Sequence, residues 1–155
     1  MRTILLALTS LTLFCSLSIA DDGLVNVQSA YDVDTTADRL EQALQAKGMT
    51  IFARIDHAKS AQQVEMDLRP TELVIFGNPK VGTLLMQGSQ SVAIDLPQKA
   101  LIWKDESGQV WLSYNDPQYL AKRHGLESCE ETVVKITEAL RRFAQIATTE
   151  QEVSR

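Results

Sequence analysis

Two strand-forming segments either side of Asp105-Glu106-Ser107-Gly108 constrain this chain more than any other feature. Residues 100–104 and 109–115 are rich in aliphatic and aromatic side chains, and a short polar break ending in glycine is the signature of a β-hairpin. A hairpin commits the chain to antiparallel pairing. With a four-residue loop, Ile102 and Trp111 fall on one face of the pair, and Leu101, Trp103, Val110 and Leu112 on the other. Both faces then carry large apolar groups. A small domain with apolar residues on both sides of a sheet needs a second cover, and a second copy of itself is one such cover. The chain is therefore expected to be a homodimer.

The segments around the hairpin decide the fold class. Residues 24–30, 49–55 and 73–76 read as further strands, the last a continuous apolar run suited to a central strand buried on both sides. Helical spacing recurs in Ala37, Leu40 and Leu44, after a start signal at Asp34 or Thr35 with Asp38 completing a weak capping box. Gly48 closes that helix. Short helices are expected over 56–65 and from Asn78-Pro79 to Met86, with a turn or short helix over 117–124 ending at Gly125. The longest helix spans 130–147, with Val133, Ile136, Leu140, Phe143 and Ala147 as its apolar stripe. The order β-α-β-(α)-β-(α)-β-β-α predicts an α+β domain, mainly antiparallel, with helices on one face.

The N-terminus follows a different logic. Arg2 supplies a positive charge, residues 4–17 are almost wholly apolar, and small residues stand at Ser18 and Ala20. This is the layout of a secretory signal peptide, residues 1–20, cut after Ala20. The apolar run is shorter than the roughly 20 residues of a spanning helix. Phe14 before Cys15 argues against lipidation. The expected location is periplasmic or secreted, with a single domain over 21–148, a polar tail over 149–155 and no membrane span after cleavage. The mature chain keeps 14 of the 15 Lys and Arg and all 20 Asp and Glu, a formal charge of −6. An acidic chain without a basic stripe lacks the counterion-release term of nucleic-acid binding, so no nucleic-acid partner is expected. Cys129 is left as a free thiol, placed by Val133 and Ile136 on the inner stripe of the last helix.

Recognisable catalytic motifs are absent: there is no Gly-x-Ser-x-Gly, Cys-x-x-Cys, His-Glu-x-x-His or phosphate loop. The candidates for a site lie between Asp56 and Met86. Gly77-Asn78-Pro79 is a strand-to-helix turn whose free N–H groups suit a polar or anionic ligand. Gly82 permits close approach by that ligand, and Thr83 offers a hydroxyl. His57 is the one group in the region that titrates near neutrality. Met86 has a thioether for a soft metal or haem. Structural roles compete at each position: cap and turn for Gly77 and Asn78, helix start for His57, core for Met86. The expected function is an exported small-ligand binding or sensory module. The alternative is a metal- or haem-handling protein, or an enzyme, using His57 with Met86 or Cys129. Any cofactor is unspecified, and catalysis is undecided with the balance against it, because His57 has no well-placed carboxylate or nucleophile beside it.

One string is distinctive: Asp56-His57-Ala58, Leu68-Arg69-Pro70-Thr71, Phe76-Gly77-Asn78-Pro79-Lys80-Val81-Gly82-Thr83-Leu84-Leu85-Met86, Leu96-Pro97, and Val110-Trp111-Leu112-Ser113-Tyr114-Asn115-Asp116-Pro117. It resembles the domain-of-unknown-function 302 family of bacteria and archaea, over residues 25–146. The resemblance implies a compact α+β fold like half of the TATA-binding protein, often a homodimer, and no established activity. The chain departs from that pattern at Glu65, where Gly is usual, and at Arg69, where Pro is usual. Likeness in fold to a DNA-binding protein carries no DNA-binding inference.

Overall fold

The computed structural model describes residues 23–150; the expected signal peptide, and most of the tail, lie outside them. Five strands form one antiparallel sheet in the order β1-β5-β4-β3-β2: β1 (Leu24–Ser29), β2 (Thr50–Asp56), β3 (Thr71–Gly77), β4 (Gln98–Lys104) and β5 (Val110–Asn115). Five helices intervene: α1 (Val33–Ala46), α2 (His57–Gln62), α3 (Pro79–Gly88), α4 (Pro117–His124) and α5 (Glu130–Thr148). The expected α+β class with an antiparallel sheet holds.

α1 and α5 lie on one sheet face because their apolar stripes match it. Val33, Ala37, Leu40 and Leu44 from α1, with Leu140, Phe143, Ala144 and Ala147 from α5, enclose Val74, Phe76, Ala100, Ile102, Val110 and Leu112. Helix α1 begins earlier than the sequence suggested. Asp32 is the cap, its carboxylate accepting the Thr35 N–H at 2.7 Å. That start brings Val33 into the helix and into the core. A second apolar cluster, Leu85, Val92, Leu126 and Val133, joins α3, α4 and α5 through a 3₁₀ turn at Gln90–Ile94. Cys129 stands at the start of α5 as a free, half-buried thiol beside this cluster, its Sγ 3.7 Å from the Leu84 carbonyl. Gly88 is required there: a Cβ at that position would sit 2.5 Å from Cys129 Sγ.

Two expectations need correction. The β4–β5 pairs are Lys104 with Val110 and Trp103 with Trp111, so the loop has five residues, Asp105 to Gln109. Asp105 draws Gln109 into the turn. Its carboxylate accepts the N–H groups of Ser107 and Gln109 at 2.9 Å each, its own N–H donates to the Gln109 carbonyl at 2.8 Å, and Gly108 takes a φ of +89°. A one-residue shift moves every side chain of β5 to the other face. Ile102, Val110 and Leu112 therefore face the helices, while Leu101, Trp103 and Trp111 share the open face. Large groups do occupy both faces, but in a different partition. The second correction concerns β3. It lies one strand in from the edge, and its burial alternates: Val74 and Phe76 are in the core while Leu73 and Ile75 are half-buried on the open face.

The open face has its own polar ladder. Trp103 Nε1 donates to Ser113 Oγ at 2.9 Å, and Ser113 Oγ donates to Asn26 Oδ1 at 2.5 Å, tying β4, β5 and β1 together. Trp111 Nε1 donates to Asp105 at 2.8 Å. Both indole N–H groups are thus satisfied within the chain, which leaves the rings as half-buried apolar surface.

Candidate functional site

A cleft of about 620 Å³ opens where the sheet ends and α3 begins. Its size falls within the ~300–1,000 Å³ usual for small-molecule sites. Three elements build it. Strand β3 ends at Gly77, and Asn78 and Pro79 turn the chain into α3 along one wall. Helix α5 lays Ile136, Ala139, Leu140 and Phe143 along the opposite wall. Met49, Phe52, Leu96 and Gln98 close the floor at the sheet's end. A β-bulge between Ile51 and Ala53 turns Phe52 out of the regular alternation there.

Of the residues singled out in the sequence, Gly77, Asn78, Gly82, Thr83 and Met86 all line this cleft. Of the two roles weighed for the turn, the structural one of cap and helix start is the one the geometry shows. The Asn78 side chain accepts the Lys80 N–H at 3.0 Å as the cap of α3, and Pro79 has no N–H to give. Gly82 N–H is bonded back to the Asn78 carbonyl at 2.9 Å. The helix start therefore has little donor capacity left for an anion. Thr83 Oγ1 donates to the Pro79 carbonyl at 2.8 Å, so its hydroxyl proton is already engaged. Gly82 is not forced by neighbouring backbone: a Cβ there would meet only Leu96 Cδ1, at 3.9 Å. What glycine contributes at this position is empty space in the cleft.

His57 is not part of it. It opens α2 at the far end of β2, exposed, while Met49 and Phe52 at the near end of β2 line the cleft. It adjoins a polar hollow of about 480 Å³ lined by Asp34, Asp38, Arg54, Asp56, Lys59 and Glu72. There Arg54 Nε meets Glu72 Oε2 at 2.5 Å and Arg54 Nη1 meets Asp38 Oδ1 at the same distance. Burial pushes the Glu72 carboxyl above its ordinary range, against the pull of Arg54, and a hydrogen bond with Asp34 pushes the same way. The bond to Glu72 raises Arg54 in turn. Among the described residues no three His, Cys, Asp or Glu side chains gather in a way that could hold a metal ion. His57 and Met86 cannot share a ligand, since only Met86 reaches the cleft.

Sequence reasoning missed two features. Gln98 is 8% exposed and lines the cleft; nothing local marks it, because its burial comes from its place in the inward-facing row of β4 with Ala100 and Ile102. The other is His124, whose ring spans Ser91 Oγ at 2.9 Å and Asp95 Oδ2 at 2.6 Å, with Arg123 3.3 Å from the same carboxylate. It fastens the end of α4 to the 3₁₀ turn that carries Ala93 toward the cleft.

Comparison with known proteins gives the family and the fold. The family model described as "Domain of unknown function DUF302" matches residues 25–143. A crystal structure of an uncharacterized conserved DUF302 protein from Bacillus stearothermophilus superposes with a TM-score of 0.73 at 17% identity, covering 81% of this chain and 98% of that one. Proteins named fluoride-specific ion channel FluC 1 from Brucella suis and Brucella abortus are each 46% identical over 118 residues, 76% of this chain. The chain spans less than half the length of these relatives, 46% and 44% respectively. With most of its folded part matched by the family model, this chain belongs to the DUF302 family of domains.

Proposed function

We propose that the domain is an exported small-ligand binding module, and that its site is the cleft between α3, α5 and the end of the sheet. One observation supports this above the others: Gly82 occupies a helix position that Ala would fill without a clash, and its absent side chain keeps the cleft open. Glycine within a helix costs about 1 kcal/mol relative to Ala, a cost that a cleft with a ligand offsets. The cleft walls are largely aliphatic and aromatic, so the expected polar or anionic ligand gives way to a mainly apolar one. The reading includes a homodimer formed through the open sheet face, and export through the segment before Asp21.

The Brucella relatives are named as channels, but no helix among the described residues here is long and apolar enough to cross a membrane. We therefore assign the channel activity of those names to the parts of the relatives outside the match, and a ligand-binding role beside the channel to the matched part.

A neutral, apolar fluorescent probe such as N-phenyl-1-naphthylamine tests the site. The mature protein is expected to bind it in the folded state. Gly82→Leu, at a position where leucine favours the helix, is expected to fill the cleft, keep or raise the melting temperature, and weaken the probe at least about tenfold, or about 1.4 kcal/mol. Unchanged probe binding by a folded Gly82→Leu protein removes the cleft from the account.

A further inference from the structure

The cleft holds one polar side chain that is deeply buried and makes no side-chain hydrogen bond within the described residues. Gln98 is more than nine-tenths buried and lines the cleft. Its backbone pairs with Phe76 in the β3–β4 ladder, yet its carboxamide forms no hydrogen bond among the described residues. No side-chain nitrogen or oxygen that is fully closed off lacks a partner, so this amide faces the open space of the cleft. A carboxamide there has two N–H donors and an acceptor oxygen to offer a ligand.

The other polar groups on the walls are less buried than Gln98, and Thr132 on α5, half-buried, offers the cleft a single hydroxyl. Asn78 caps α3 and Thr83 is bonded to the Pro79 carbonyl. Lys135 is at the mouth, 71% exposed and bonded to Glu131 at 2.6 Å. Lys135 is the single charged residue that lines this cleft, and the ammonium of Lys99 beyond it is held by the Asp95 and Pro97 carbonyls at 3.1 and 3.0 Å. An ionised group brought to Gln98 would lose its water without gaining an opposite charge, which is the most expensive burial a small molecule can undergo. A neutral group that both donates and accepts loses far less and completes the amide.

We propose that Gln98 selects for a neutral, mainly apolar small molecule carrying one hydrogen-bonding group, such as a phenol, alcohol, ketone or primary amide, with that group against the Gln98 carboxamide. This deepens the cleft reading and rests on it. It also excludes, as preferred ligands, the anions that the helix start suggested.

Three probes of one shape separate the possibilities: propylbenzene, 4-propylphenol and 4-propylbenzoate, titrated calorimetrically into the mature chain at pH 8. At this pH the phenol is neutral and the benzoate is charged. The phenol is expected to bind about tenfold more tightly than either of the others, the factor that one well-made hydrogen bond supplies. Gln98→Met is expected to keep propylbenzene affinity and to abolish the phenol's advantage. The wild-type series decides the matter even if that variant folds poorly. Equal affinity for phenol and hydrocarbon, or tightest binding of the benzoate, overturns the selectivity while the cleft survives as a binding site. Binding of none of the three removes the cleft reading, and this inference with it.

Discussion

Asp105 shows how much a single side chain decides in this domain. Its carboxylate collects Ser107 N–H, Ser107 Oγ, Gln109 N–H and Trp111 Nε1. The hydrogen bonds from Ser107 and Trp111 hold its pKa down to about 2. A depressed carboxylate contributes stability above its unfolded-state value of about 3.9 and loses it as the pH falls through the folded value. The melting temperature of the wild type is therefore expected to fall between about pH 4 and about pH 2. Asp105→Ala is expected to melt lower at pH 7 and to show a shallower fall over that window, by thermal denaturation followed by circular dichroism. Parallel pH curves would show that Asp105 does not hold the turn. Residues of this kind are visible in sequence as turn formers, but their reach is not. The Asp105-to-Gly108 break marked the hairpin, whereas the extra residue that Asp105 recruits turned Trp111 onto the other face. Gln98 was less visible still. A glutamine after a proline carries no sign of burial; its place in the inward-facing row of β4 creates it. His57 failed in the opposite sense. Its position beside the motif drew attention to it, but its place at the far end of β2 separates it from the cleft.

Elements were easier to read than residues. The stripe of α5, the Asn78-Pro79 start of α3 and the Gly125 end of α4 all follow from local chemistry, and each lies within a residue or two of its expected bound. Spatial order was harder. The apolar run of β3 suggested a strand covered on both faces, but its outward residues belong to a sheet face with no helix over it. Leu73, Ile75, Leu101, Trp103 and Trp111 lie together there, half-buried. A second copy placed on this face would complete their burial at roughly 25 cal/mol per Å² of apolar surface. Residues 21–155 are therefore expected to form a dimer by light scattering at tens of micromolar, with Trp103→Lys shifting it toward monomer. A wild-type monomer at that concentration contradicts the pairing.

At the scale of the molecule, the sheet separates two kinds of site. One end of β2 and β3 is charged, with Arg54 and Glu72 beneath α1; the other end opens into an apolar cleft beneath α3 and α5. The family resemblance gave the fold and pointed to the turn that forms the cleft, but neither it nor the sequence pattern distinguished a polar ligand from an apolar one. That distinction depends on which donors the helix start has already used and on which α5 side chains face it. Amide chemical-shift mapping tests the central claim most directly. Titration of isotope-labelled mature protein with 4-propylphenol is expected to shift the amides of Gly77, Gly82, Gln98, Ile136 and Ala139, and to leave His57 and Trp111 unmoved. Shifts centred on the open sheet face or on the charged end, with the cleft amides still, would contradict the account.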